Sequence, residues 1–295
     1  MYNVIKGIIK KYVPENNFLY RNFRLLRRRI RSSIALMPLK RLRIEVQIAD
    51  HCNLNCISCN HFSPIAEKHL LDIADFERDC SRISGLTKKI EYFNLLGGEP
   101  LLHPQIIDFC RVARKYFENG TINIITNGIL LPKQPDEFWN TCMTNNIQII
   151  ITRYPIVIDI EKIEKKAREN GVILKYWPHD NSLKTMLKVP LDINGGQNSK
   201  SNYKMCGQAN ACIQLRHGKI YTCPVIAYIE YFNNFFGQNL EVTERDYIDI
   251  YKVKNIDEVY SFLCKSMPFC RYCNIKGVVY GMGWAVSKKQ ITEWT

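Results

Sequence analysis

The sequence predicts an α/β fold in which helices cover a largely parallel sheet, arranged as an open or closed β/α barrel. Short runs rich in Ile, Val and Leu alternate with helical stretches of about 10–14 residues over positions 41–180. Continuous apolar runs of this kind are typical of parallel strands that are buried on both faces. A chain of 295 residues, 46% of them hydrophobic, is long enough for one such domain and a small appended one.

The predicted elements follow one another in a regular order. Five strands are predicted: RLRIEVQIA (41–49), IEYFNLL (90–96), TINIIT (121–126), IQIIIT (147–152) and VILKYW (172–177). The predicted helices between them cover 72–85, 104–117, 134–144 and 159–170. Asp72 is a suitable cap for the first helix, and Gly171 is a suitable end for the last. In such a barrel we expect the chemistry at the carboxyl ends of the strands.

The rest of the chain has a different composition. Residues 181–205 are polar and rich in Gly, Asn and Ser, which predicts a connector. Residues 206–295 form a second block that contains cysteines, and we expect it to end in a helix from about Trp284. No apolar run approaches the roughly 20 residues that span a bilayer. Residues 1–43 contain too many Lys and Arg for a secretory signal, so a cytoplasmic location is expected.

The positive charge is concentrated at the N-terminus. Residues 1–43 hold twelve of the 41 Lys and Arg residues but only one of the 28 acidic residues. Apolar residues recur there at helical spacing, which predicts a basic amphipathic arm over residues 1–40. Such an arm can pack across the barrel, lie on the inner membrane face near a lipid-linked substrate, or bind nucleic acid phosphates. The sequence leaves these three readings open.

Three cysteines are crowded into the loop after the first strand. Cys52, Cys56 and Cys59 fall in DHCNLNCISCNHF with the spacing C-x3-C-x2-C. In a reducing compartment, clustered thiols are more often metal ligands than disulfide partners. Iron–sulfur clusters are usually held by four thiolates, so three would leave one iron open to another ligand. Zinc is the alternative, with His51 and His61 flanking the loop.

This loop and a second motif resemble the radical S-adenosylmethionine (radical SAM) enzymes. The family's three-cysteine loop follows the first barrel strand, and its Gly-Gly-Glu-Pro motif follows the second. Here that motif is Gly97, Gly98, Glu99 and Pro100. The resemblance covers roughly residues 41–180 and implies a partial (β/α)6 barrel, a [4Fe–4S] cluster on the three cysteines, and SAM bound at the open iron.

The resemblance also implies which residues surround SAM. The Gly-Gly-Glu-Pro segment would meet its amino group, and Asn127, at the end of the third strand, would contact its ribose or carboxylate. The family usually has an aromatic residue next to the adenine just before the third cysteine. Here that position is Ser58, and Phe62 is the nearest residue that could supply an aromatic face.

The distal cysteines resemble the SPASM and twitch extensions of the same family. Cys206 and Cys223 frame a Gly-containing segment, and Cys270 and Cys273 follow as C-x2-C. The resemblance implies a twitch-type domain over residues 206–295 with one auxiliary [4Fe–4S] cluster on these four thiols. Cys212 is an alternative to Cys206 as a ligand, and a structural zinc is an alternative to the cluster.

With a single auxiliary cluster, the predicted arrangement resembles that of the radical SAM aminocyclitol dehydrogenases and the molybdenum-cofactor cyclase. The leading prediction is therefore dehydrogenation of a carbohydrate-like alcohol, in which the second cluster accepts an electron. Arg153 and Tyr154, after the fourth strand, are the candidate catalytic residues, with His103 and His179 behind them.

Three other functions remain open at this point. One is epimerisation, with Cys212 as the hydrogen donor, and another is peptide maturation. The third is a cluster- or zinc-bearing RNA-binding protein. A radical SAM enzyme would also need a reducing partner such as flavodoxin or ferredoxin.

Overall fold

The computed structural model describes residues 42–295, and these form an α/β structure built on an eight-stranded sheet. The strands are β1 (Leu42–Ala49), β2 (Ile90–Gly97), β3 (Thr121–Thr126), β4 (Ile147–Thr152), β5 (Leu174–Trp177), β6 (Met186–Lys188), β7 (Gln214–Arg216), β8 (Lys219–Tyr221), β9 (Ile248–Asp249) and β10 (Val279–Met282). The helices are α1 (Ile73–Leu86), α2 (Ile106–Tyr116), α3 (Asp136–Thr144), α4 (Ile160–Glu169), α5 (Ser199–Met205), α6 (Pro224–Phe236) and α7 (Ile256–Leu263). Within this range no helix is both long and apolar enough to cross a membrane.

The main sheet runs in the order β5-β4-β3-β2-β1-β7-β8-β9. All neighbours from β1 to β5 pair in parallel, and β7 also lies parallel to β1. Strands β8 and β9 extend that edge in antiparallel pairing. Because parallel neighbours need a crossover, α1 to α4 connect β1 to β5 one after another. The five predicted strands and four predicted helices are therefore confirmed, with boundaries shifted by two residues at most.

The helices begin and end where the local chemistry favours it. The Asp72 carboxylate accepts hydrogen bonds from the backbone N–H groups of Ala74 and Asp75, so it caps α1 as predicted. Gly171 has φ of 65° just beyond α4, in the left-handed region that a helix end commonly uses.

Several expectations need correction. The predicted sixth β/α unit does not follow β5: in residues 42–295 the sixth parallel strand is β7, which lies beside β1 at the other end of the parallel region. The predicted connector over 181–205 contains β6 and α5. The helix expected from about Trp284 is wrong, because residues 283–290 are extended or irregular and only Ile291–Glu293 forms a 3-10 turn. The basic arm lies outside the described residues.

The main core lies between the sheet and α1 to α4. It includes fully buried aromatic residues from three helices, Phe76, Phe109 and Phe138, and strand residues such as Ile44 and Ile122. A second core lies under α6 and contains Phe62, Phe232 and Trp294. Burial of such side chains contributes about 1.5–3 kcal/mol each, which fixes the sheet whose strand ends carry the candidate site.

Candidate active site

The cysteine loop leaves the carboxyl end of β1 and is tightly curled. Asn55, Ser58 and Phe62 all have positive φ, between 51° and 55°, so the chain reverses direction repeatedly within a few residues. Backbone N–H groups point at the sulfurs. Leu54 donates to Cys52 Sγ at 3.4 Å, and the amides of residues 61–63 contact the Cys59 thiol. Donors of this kind stabilise the thiolate form that binds a metal.

The two glycines after β2 permit close contact with this loop. A Cβ atom on Gly97 would lie 2.3 Å from the Ala49 carbonyl oxygen, and one on Gly98 would lie 2.2 Å from the His51 carbonyl oxygen. Both distances are impossible for a real side chain. Gly98 N also donates to the Ala49 carbonyl at 2.7 Å. The end of β2 can therefore approach the cysteine loop only because these residues lack side chains.

Glu99 fastens the ends of β2 and β3 together. Its fully buried carboxylate accepts hydrogen bonds from Thr126 Oγ1 at 2.7 Å, Asn127 N at 2.9 Å and Leu101 N at 3.1 Å. Burial raises the pKa of this carboxyl to about 7, and the three donors oppose that rise. Glu99 is thus engaged with the protein itself, while Pro100 begins the short 3-10 helix that follows.

Asn127 joins β3 to the cysteine loop. Its Nδ2 donates to Asn53 Oδ1 at 2.7 Å and lies 4.0 Å from Cys52 Sγ. Its Oδ1 accepts a hydrogen bond from Ile129 N at 3.0 Å. The ends of β1, β2 and β3 therefore meet at one place, as the parallel order of the strands requires.

No aromatic ring from Ser58 or Phe62 is available where the ends of β1, β2 and β3 meet, because Ser58 has none and Phe62 packs elsewhere. Ser58 is buried, and its hydroxyl donates to the Glu293 carbonyl at 2.7 Å. Phe62 is 1% exposed and packs between Phe232 and Trp294 in the second core. Both side chains serve the packing of the loop against the C-terminal residues.

The two candidate catalytic residues point in different directions. The Arg153 guanidinium lies 4.2 Å from the centre of the Tyr176 ring and donates to Asn181 Oδ1 at 2.6 Å. Tyr154 instead hydrogen-bonds to the Cys56 thiol, and burial raises the pKa of its hydroxyl well above its ordinary value. Trp284 Nε1 donates to the same sulfur at 3.1 Å.

The two candidate histidines are engaged elsewhere. His103 is buried, with its Nε2 3.0 Å from the Leu71 carbonyl, and His179 packs on Trp177. His61, a possible zinc ligand, packs on Tyr228, and burial lowers its pKa to about 4.

The donor set of the loop fits an iron–sulfur cluster. Burial raises the pKa of Cys52 to about 12 and of Cys56 to about 11, and the Cys59 pKa also rises with burial. Such thiols ionise when bound iron supplies the compensating positive charge. In residues 42–295, no group of three or more His, Cys, Asp or Glu side chains is arranged to hold a metal ion. A cubane, unlike one ion, takes its thiolates at separate corners.

The four distal thiols lie together at a second place. Cys206 immediately follows α5, and Cys223 immediately precedes α6. Cys270 lies within the 3-10 turn Pro268–Tyr272, and Cys273 immediately follows it. Each of Cys223, Cys270 and Cys273 has its pKa raised by burial first and by neighbouring thiols of this group second. The Asn202 side chain donates to the carbonyls of both Cys270 and Cys273, which ties the turn to α5.

Lys184 interacts electrostatically with Cys56 of the first thiol group and with Cys212, and Cys212 interacts with Cys206 and Cys223 of the second group. Burial lowers the Lys184 pKa, and negative charge on Cys56 and Cys212 would raise it. Burial raises the pKa of the Cys212 thiol, and negative charge on Glu45, Cys223 and Cys206 raises it further. Lys184 backbone N donates to the Arg153 carbonyl at 2.6 Å, which holds the segment after β5 against the end of β4.

A row of polar side chains crosses the sheet on the face opposite the helices. The aligned positions are Gln214, Glu45, Asn94, Asn123 and Gln148. Gln214 Nε2 donates to Glu45 Oε2 at 2.7 Å, and Asn123 Nδ2 donates to Asn94 Oδ1 at 2.8 Å. Burial raises the Glu45 pKa to about 7 against the effect of its amide donors. We call this set the lumen row.

Two parts of this site were missed from the sequence. The lumen row had a signal, because Glu45 and Asn94 are polar residues at strand positions that alternate with the buried core residues. Trp284 had none, since it approaches Cys56 from 228 positions away along the chain.

Sequence comparison with known proteins relates the segment that carries the cysteine loop and the two glycines to one family. Residues 46–151 match the model of the radical SAM superfamily. A GTP 3′,8-cyclase from Chlorobaculum tepidum is 32% identical over 94 residues, 32% of this chain and 28% of that protein. A probable GTP 3′,8-cyclase from Aeropyrum pernix is 33% identical over 164 residues, 53% of this chain and 43% of that protein. The chain thus spans less than half the length of these curated relatives.

Solved structures overlap more of the chain at lower identity. BtrN in complex with AdoMet and 2-DOIA aligns with a TM-score of 0.48 at 17% identity, over 81% of this chain and 94% of that chain. Native anSMEcpe with bound AdoMet aligns with a TM-score of 0.48 at 13% identity, over 79% of this chain and 82% of that chain.

Proposed function

We propose that this chain, whose residues 46–151 match the radical SAM superfamily, is a radical SAM enzyme that uses a [4Fe–4S] cluster and SAM to remove hydrogen from a small carbohydrate-like alcohol. The reaction we favour is oxidation of that alcohol to a ketone. When bound, the cluster and SAM would supply one electron and a 5′-deoxyadenosyl radical that abstracts hydrogen from carbon. Like other members of the superfamily, the enzyme would need a reductant, for which flavodoxin or ferredoxin is suited.

The observation that carries the proposal is the meeting of three strand ends. Cys52, Cys56 and Cys59 would hold the cluster from one curled loop after β1. Gly97 and Gly98 keep the space beside that loop free of side chains. The Asn127 amide, fixed by Asn53 and Ile129, borders the same space with polar atoms that suit a zwitterionic ligand.

The lumen row supports a hydroxyl-rich substrate. A carboxylate and several amides offer both donors and acceptors, as a polyol requires. Glu45, Asn94 and Gln148 keep partial exposure although they lie in the middle of a sheet, so they border open space. Lys184 adds one positive charge that interacts with Cys56 and Cys212. We therefore replace Arg153 with Lys184 as the residue that would hold the reacting hydroxyl or a nearby anionic group.

The distal thiols support oxidation over other outcomes. Removal of a hydrogen atom from a carbinol carbon leaves a radical, and loss of one further electron and the hydroxyl proton gives the ketone. We infer that Cys206, Cys223, Cys270 and Cys273 hold the auxiliary cluster that accepts this electron. Cys212 interacts electrostatically with Cys206 and Cys223, and Lys184 interacts electrostatically with both Cys212 and Cys56. These interactions support a common region bordered by the two thiol groups.

Deuterium transfer tests the proposal. The reconstituted, reduced protein would be incubated with SAM and a panel of carbon-deuterated aminocyclitols, sugars, sugar phosphates and GTP. We expect deuterium in 5′-deoxyadenosine and a ketone product with one polyol class. Deuterium transfer from GTP alone would refute the carbohydrate assignment while leaving the superfamily intact.

Epimerisation is the second candidate, because Cys212 is a thiol that interacts with Lys184 and with the second thiol group. An epimerase would return a hydrogen atom to the substrate carbon from the opposite face. Reaction in deuterated water would then label the epimerised product at that carbon, whereas a dehydrogenase would form a ketone, which carries no hydrogen at that carbon. Cys212→Ala would abolish that labelling in an epimerase and leave ketone formation in a dehydrogenase.

A further inference from the structure

The C-terminal strap (residues 284–294) pairs with the cysteine loop through main-chain hydrogen bonds. Ile57 N donates to the Ala285 carbonyl at 2.9 Å, and Ser287 N donates to the Asn55 carbonyl at 2.8 Å. These contacts form an antiparallel bridge at Cys56. The strap is therefore bound to the loop by main-chain hydrogen bonds that do not depend on its side chains.

Two tryptophans of the strap donate hydrogen bonds to the loop, but to different kinds of atom. Trp284 Nε1 donates to Cys56 Sγ at 3.1 Å. Trp294 Nε1 donates to the backbone carbonyl of Cys59 at 2.9 Å. One strap thus offers an indole N–H to a sulfur and another to a main-chain oxygen, which makes the pair a natural comparison.

The surroundings of Cys56 favour an electronic effect of the first contact. Trp284 lies beside Tyr154, with ring centres 6.3 Å apart, and Tyr154 also hydrogen-bonds to the Cys56 thiol. The apolar residues Leu54 and Met186 pack around the same sulfur. Water is largely replaced there by two directed donors, and hydrogen bonds to a sulfur count for more in such surroundings.

We propose that Trp284 is a positioning residue that raises the reduction potential of the cluster held by this loop. The proposal rests on the proposed function, because it requires a cluster on Cys52, Cys56 and Cys59. Reduction adds negative charge to the cluster and its sulfurs. An N–H donor directed at a ligand sulfur stabilises that charge and so favours the reduced state. Tyr154 acts in the same direction through its hydroxyl.

The test compares Trp284→Phe with Trp294→Phe in the full, reconstituted chain. Both changes keep an aromatic ring and remove one N–H. An EPR-monitored redox titration would follow the cluster signal that changes on addition of SAM, since that signal marks the cluster with an open iron. We expect W284F to weaken reduction about tenfold, which is about 59 mV for one electron, and W294F to leave the potential unchanged.

Tyr154→Phe is the second variant, and it should lower the potential in the same direction as W284F. W284F with full iron and an unchanged potential would overturn the proposal. If W284F does not retain iron, Y154F becomes the test, and an unchanged reduction potential in Y154F would overturn the proposal. Equal shifts in W284F and W294F would also overturn it, since they would indicate a general effect of loosening the strap. Wild-type protein without a SAM-sensitive cluster would instead refute the proposed function.

Discussion

Replacement of Glu99 by Gln tests how the ends of β2 and β3 are held together. The wild-type carboxylate accepts three hydrogen bonds, two at Oε1 and one at Oε2. Glutamine can keep one oxygen but must place an NH2 group where the other was. If the oxygen stays near Thr126 and Leu101, the NH2 group faces the Asn127 N–H, and two donors then oppose each other in a fully buried place.

The expected cost follows from that lost bond. A buried N–H without an acceptor costs about 1–3 kcal/mol, so we expect E99Q to lower the free energy of unfolding by about 2 kcal/mol. For a domain of this size, that corresponds to a fall in Tm of roughly 4–8 °C. We also expect weaker SAM binding, because the Asn127 backbone N–H donates to the Glu99 carboxylate and Gly98 directly precedes Glu99 in the chain.

Thermal and urea unfolding of the apo-protein would measure the effect, with Glu91→Gln, near the start of β2, as the matched control. Glu91 forms a surface ion pair with Arg43 at 2.9 Å, and its loss should cost less than about 1 kcal/mol. If E99Q is as stable as E91Q, the carboxylate does not hold the strand ends together, and the reasoning is refuted.

Three further predictions concern the lumen row, the glycines and the distal thiols. Between the unfolded pKa of about 4.5 and the folded value of about 7, Glu45 is ionised in the unfolded chain but protonated in the folded one, so stability falls as pH rises. Glu45→Gln should therefore reduce the loss of urea resistance between pH 5 and pH 7, and an unchanged slope would contradict the assigned pKa. Gly98→Ala should displace the cysteine loop and halve the iron content, whereas Gly85→Ala, with open space around it, should not; equal iron in both would contradict the close packing. Cys223→Ala should reduce iron from about eight to about four per chain, and a loss of zinc instead would favour the structural zinc site.

The sequence predicted the strand–helix order because parallel strands carry a strong local signal. The apolar runs of β1 to β5 and the cap at Asp72 are local patterns, and the structure has them within two residues of the predicted positions. The cysteine spacing and the two glycines are local motifs as well, and the segment that carries them lies within residues 46–151, which match the radical SAM superfamily model.

Contacts between distant residues could not be predicted in the same way. Trp284 contacts Cys56, and Ser58 contacts Glu293, through the path of the C-terminal strap and not through any periodicity. The expected terminal helix failed for the same reason, since pairing with the cysteine loop holds residues 285–287 extended. Arg153 follows β4 as a catalytic residue would, but its guanidinium stacks on Tyr176, and sequence position alone does not fix the direction of a side chain.

The central claim is that Cys52, Cys56 and Cys59 hold a cluster that allows this chain to cleave SAM reductively. The most direct measurement is 5′-deoxyadenosine formation after anaerobic reconstitution, with dithionite and SAM, in wild-type protein and in Cys56→Ala. We expect 5′-deoxyadenosine and methionine from the wild type, none from C56A, and retained production from Cys80→Ala, whose thiol is on the buried face of α1. Equal yields from wild type and C56A, or none from fully iron-loaded wild type, would contradict the account.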